Sequence, residues 1–115
     1  MDLREETVAD VTVIAVEGRL DTQTAGQFKT RLTELVRPGH RRVLIEGSRL
    51  SYVSSAGFHA LLLAAKLATE SGGGFAVCGL SAPITRVIEI AGFGEMFDTY
   101  SSREEALAKL SAVRR

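Results

Sequence analysis

Leu50-Ser51-Tyr52-Val53-Ser54-Ser55-Ala56-Gly57-Phe58 marks the handover from an apolar strand to the most apolar helix of the chain. Two adjacent hydroxyls, Ser54 and Ser55, fall in what should be the first turn of that helix. Backbone N–H groups at a helix start lack intrahelical partners, and the helix dipole adds partial positive charge there. A hydroxyl in that place can cap the helix, attack a substrate or carry a phosphate. The helix itself should run from about Ser55 to Ser71. Its residues Phe58, Leu61, Leu62, Leu63, Ala64, Ala65, Leu67 and Ala68 leave little polar face. Such a helix is either central to the core or partly held for a partner.

Outward from this junction, strands and helices alternate. Leu3 to Val8 alternates weakly and pairs, across a short Ala9-Asp10 turn, with the β-branched run Val11 to Glu17. This reads as an N-terminal hairpin whose second strand is covered on both faces. Gly18 to Thr22 then breaks the strand, with Asp21 or Thr22 fit to cap a helix over Gln23 to Arg37. Pro38-Gly39 stops that helix. Arg42 to Glu46 is a buried strand, and Gly47 to Ser51 a loop. Beyond the central helix, Gly72-Gly73-Gly74 ends it, Phe75 to Gly79 is a strand, and Ser81 with Pro83 opens a helix that closes at Gly92. Met96 to Tyr100 is a short edge strand. Ser102-Arg103-Glu104-Glu105 has capping-box form before a last helix striped by Ala106, Leu107, Leu110 and Val113. The order β-β-α-β-α-β-α-β-α predicts an α/β domain with a mostly parallel, mixed sheet, an antiparallel N-terminal hairpin and about four helices. Which helices share a face is left open by the pattern.

Composition narrows the functional classes. The 115 residues suit one domain, 1–115, with 45% apolar and 24% charged residues as in globular proteins. Acidic and basic residues balance at 14 each, which argues against a general nucleic-acid binder and against bulk attraction to an anionic membrane. The single cysteine, Cys78, cannot form an internal disulfide, and the chain reads as a reduced, cytosolic protein. No signal segment opens it, and no apolar stretch is long enough to span a bilayer. The start methionine and the ending after a terminal helix look like a complete small protein, monomeric in isolation.

Three catalytic or ligand readings can be weighed from the residues. Ser55 and His59 are four apart and share a helical face, which invites a hydrolase reading. However, Val53 and Gly57 flank Ser55, so the G-x-S-x-G elbow is only half present, and no orienting acid stands nearby in sequence. His40 and His59 lie far apart and no metal-ligand spacing occurs, so no metal or other cofactor is expected. The triple glycine follows a helix rather than preceding one, unlike a phosphate-cradling loop. A phosphoserine remains. It adds about −1.5 to −2 charges, and a helix N-terminus accommodates them without unfolding the domain. Inside a docking patch the same phosphate would weaken a complex, making a non-catalytic domain a binary switch.

Three segments carry a resemblance. Gly18-Arg19-Leu20-Asp21-Thr22, the run Val43 to Phe58, and the close from Gly92 to Leu107 resemble the STAS domain of bacterial anti-sigma-factor antagonists. The similarity extends over nearly the whole length. It implies a STAS-like fold and a non-enzymatic protein that binds an anti-sigma factor with serine-kinase activity while unphosphorylated. Phosphorylation would release it, and a phosphoserine phosphatase would restore it. Position by position, the resemblance makes Ser55 the phosphoacceptor, with Ser54 as a competing one where many relatives have aspartate. It places Asp21 near the acceptor, and Asp21, Thr22, Ser54, Ala56, Gly57 and Phe58 at the partner-binding face. Phe58, where leucine is common, is expected either at the partner-facing rim or in the core. Glu46 stands where the strand often ends in aspartate. STAS domains also serve as scaffolds or regulatory subunits in stress-signalling and lipid-transport assemblies, which gives an alternative without phosphorylation.

Overall fold

In the computed structural model, residues 1–36, 42–70, 72–92 and 97–112 are described, apart from the side chains of 36, 111 and 112. The elements are β1 (Asp2–Val8), β2 (Val11–Leu20), α1 (Ala25–Val36), β3 (Arg42–Val53), α2 (Ser55–Glu70), β4 (Gly74–Cys78), α3 (Ala82–Ile90), β5 (Asp98–Tyr100) and α4 (Arg103–Ala112). The expected helix stop at Pro38-Gly39, along with His40, Ser71, Met96 and Val113, lies outside the described residues.

The strands form one sheet in chain order, β1-β2-β3-β4-β5. β1 and β2 pair antiparallel, with Val8 opposite Val11 across the Ala9-Asp10 turn. The three remaining pairings are parallel. Parallel crossovers are right-handed, so strands laid down in sequence send every crossover helix to the same face. That answers the question the sequence pattern left open. Phe28 and Leu32 of α1, Leu61 and Ala64 of α2 and Ile88 of α3 pack with Ile14, Val16, Val43, Ile45 and Val77 in one core. The side chains alternating with these, Val11, Val13, Leu44, Ala76 and Cys78, face the other way, where Ala106 and Leu110 of α4 cover them. Phe75 and Phe97 meet edge to face, ring centroids 5.8 Å apart, where the chain enters β5.

Two expected boundaries are corrected. Gly18 to Leu20 does not break the second strand; it continues β2 through Leu20. Gly47 to Ser51 is no loop; β3 runs without interruption to Val53. The two extensions pair with each other, Gly18 with Leu50 and Leu20 with Val53, after register shifts that absorb the irregularity. Gly18 takes φ +106°, a conformation that glycine accepts and other residues rarely do. Gly47 leaves room for the Leu80 side chain, whose tip would lie 2.6 Å from a Cβ there and would have to shift. The consequence for the site is that β2 and β3 deliver their carboxyl ends side by side, at Leu20 and Val53.

Candidate functional site

The junction is fastened by its backbone. The Ser54 N–H donates to the Leu20 carbonyl at 2.9 Å, tying the end of β3 to the end of β2. The Ser54 hydroxyl accepts the Gly57 N–H at 3.2 Å, and the Ser54 carbonyl accepts the Phe58 N–H at 2.9 Å. Ser54 is therefore the N-cap of α2. Gly57 follows from the same closeness: a Cβ on it would stand 2.6 Å from the Leu20 carbonyl oxygen and 2.9 Å from the side chains of Leu20 and Val53. Only a residue without a side chain lets the first turn of α2 settle against β2.

Ser55, one place further along, is exposed, and its hydroxyl has no hydrogen-bond partner among the described residues. It lines an open groove of about 480 Å³. One wall comes from the end of β3 and the start of α2: Ser51 to Ser55 with Phe58. The other comes from the start of α3: Ser81, Pro83, Ile84 and Val87. Ser81 caps α3, accepting from the Ile84 N–H at 3.5 Å. Among the described residues no charged side chain lines the groove, and its rim is apolar, with Tyr52 42% and Val87 46% exposed. Ile90, on α3 beyond the groove, is 78% exposed. Phe58 is buried, with 7% exposure, yet still forms part of the groove wall. Of the two placements the sequence left as alternatives, the core one holds: Phe58 belongs to the core cluster.

Asp21 caps α1. Its carboxylate accepts the Gln23 and Thr24 N–H groups at 3.1 and 3.2 Å, and its carbonyl accepts the Ala25 N–H at 2.7 Å. Desolvation acts to raise its pKa, but the hydrogen bonds from Thr24, Gln23 and Arg19 outweigh it and hold the carboxyl below its ordinary value. Asp21 does not line the Ser55 groove; it reaches the junction through its neighbour Leu20, whose carbonyl holds the Ser54 N–H, and through Arg19. Thr22 is an exposed turn residue. Thr24, which the sequence reading passed over, takes part in the cap: its hydroxyl oxygen accepts the Asp21 N–H at 2.9 Å. Arg19 lies over the Tyr52 ring, 4.1 Å from its centroid, and within 3.5 Å of the Asp21 carboxylate.

The α3 wall was also missed, because Ser81 to Val87 stands some distance along the chain. The usable signal was topological, since sites in parallel sheets gather at the carboxyl ends of neighbouring strands. The hydrolase pair does not converge on one groove. His59 lines a separate groove between α1 and α2, and among the described residues no carboxylate lines either groove. Among the described residues no cluster of three metal-ligating side chains occurs, and no helix is long and apolar enough to cross a membrane. Cys78 is fully buried beneath α4, and burial, helped by Glu46, pushes its thiol up to about 11.

Comparison with known proteins adds a family. The STAS domain family matches residues 3–106. BtrV of Bordetella bronchiseptica, provisionally named an anti-sigma factor antagonist, is 33% identical over 94% of this chain and 93% of its own length. An anti-sigma F factor antagonist from Paenibacillus polymyxa is 25% identical over 90% and 89% of the two chains. The solved structure of an anti-sigma-factor antagonist (STAS) domain protein from Planctomyces limnophilus superposes with a TM-score of 0.86 at 26% identity, covering 96% of this chain and 99% of that one. Fold, matched span and relatives agree: the chain belongs to the STAS domain family, in the company of proteins named as anti-sigma-factor antagonists.

Proposed function

We propose that this chain is an anti-sigma-factor antagonist, a single, non-catalytic cytoplasmic domain switched by phosphorylation of Ser55. Unphosphorylated, it docks through the neutral groove and its apolar rim on an anti-sigma factor with serine-kinase activity. The kinase transfers the γ-phosphoryl group of ATP to the Ser55 oxygen, releasing ADP and the hydroxyl proton. The product carries about two negative charges in a groove that no cation lines among the described residues, and the complex separates. A phosphoserine phosphatase returns the hydroxyl by hydrolysis.

The observation that carries this reading is the different use of two neighbouring serines. Ser54 is committed to the α2 cap, whereas Ser55 is exposed and unengaged at the mouth of the groove. A phosphate on Ser55 would meet the free N–H groups of the first α2 turn, so the domain can carry it without unfolding. The names of the relatives point the same way. The test is incubation with ATP and a purified anti-sigma-factor serine kinase from the same organism, followed by mass-spectrometric mapping. The expected result is one phosphate, on Ser55, and loss of kinase binding in Ser55→Asp. A phosphate confined to Ser54, or full binding by Ser55→Asp, would sink the proposal.

A further inference from the structure

The helix start that carries Ser55 has a second flank. Toward α1, a groove of about 300 Å³ separates the two helices. Gly26 of α1 and Ala56 and Ala60 of α2 line it, so an incoming side chain can approach close to both backbones. Its two side chains with basic groups are Lys29 of α1 and His59 of α2, and no carboxylate lines it. Both are exposed, and neither is held by a carboxylate among the described residues. Elsewhere on α1 the opposite holds, since Arg31 is paired with both Glu5 and Glu34. With histidine counted neutral, Lys29 gives this lining a single positive charge within a chain whose formal net charge is zero, so the charge is not a by-product of a basic protein. Ala56 follows Ser55 directly, which puts the groove next to the acceptor, on the side away from the neutral groove.

We infer that the α1–α2 groove receives a carboxylate-bearing segment of the partner that docks over Ser55; this rests on the function proposed above. The two grooves then divide the recognition. The neutral one takes apolar contact and reports the phosphate. The basic one draws in an acidic side chain and sets the docking angle. Charges at such a rim act mainly on the association rate and its salt dependence.

The test uses the same purified kinase, with Lys29→Glu and His59→Glu separately and together. The double variant is expected to associate about tenfold more slowly at low salt, with a flatter salt dependence. KM for Ser55 phosphorylation should rise with kcat unchanged. Replacing the matching partner carboxylate by lysine should restore the rate. Both positions are exposed, so equal urea midpoints should show that the variants fold; if they do not, Lys29→Gln with His59→Gln is the substitute, expected to give a smaller fall of the same sign. Unchanged association and KM, with Ser55 still phosphorylated, overturns this inference and leaves the proposed function standing. A wild-type protein that the kinase neither binds nor phosphorylates overturns the function itself.

Discussion

Replacing Ser54 or Ser55 by alanine removes one oxygen in either case, but the consequences should separate. Ser54→Ala strips the α2 cap and should lower stability by about 1 kcal/mol in urea denaturation. Ser55→Ala removes an exposed hydroxyl and should shift stability by no more than about 0.5 kcal/mol, while abolishing phosphate uptake. Equal destabilisation by both would contradict the assignment of roles. Gly57→Ala sets steric crowding against helix propensity. The added methyl gains about 1 kcal/mol in propensity, yet it must displace the Leu20 carbonyl, which cannot move without disturbing β2. Crowding should win, with a net loss of about 2 kcal/mol in the same assay. Asp21 supplies a pH signature. Its folded pKa is depressed, so its contribution is present above the unfolded value near 3.8 and fades as pH falls through the folded one. Between pH 5 and pH 2 the wild type should therefore lose more of its Tm than Asp21→Asn, whose amide can still cap. Parallel Tm curves would rule out this role.

Elements were legible in the sequence where hydrophobic period and caps agreed. The order of strands and helices, the Ser81 and Ser102 caps and the start of α2 all follow from local chemistry. The misread boundaries share one cause. Gly18 and Gly47 are breakers by local rules, yet each is a place where distant atoms set the requirement. Leu80 crowds Gly47 from the β4–α3 connection, and the pairing of Gly18 with Leu50 needs the register shift beside it. No window along the chain contains that information. The second wall of the Ser55 groove was hidden for the same reason. The hairpin offers an element-scale test. Ala9 holds φ +56° in the two-residue turn, a conformation costing an L-residue about 1 kcal/mol that asparagine tolerates better. Ala9→Asn should raise stability by about 0.5 kcal/mol in thermal or urea melts, and a loss would mean the turn is built otherwise.

On the scale of the molecule, the helices divide three to one across the sheet, and Cys78 lies on the side of the single helix. With the thiol raised to about 11 and no exposed surface, Cys78 should react with a disulfide reagent only when α4 lifts or the domain unfolds. Mild urea that frees α4 first would show as labelling ahead of the loss of ellipticity. Because the sheet is laid down in chain order, no strand has to enter between two others already in place. During synthesis the hairpin can form first, and each following strand can then add to the open edge of its predecessor, its crossover helix closing behind it. Only α4, which follows all five strands, must fold back across the strands already laid down to cover the second face. The emerging chain would thus show a bare apolar surface on that one side, and for that reason its need for a chaperone should centre on the interval before α4 leaves the ribosome.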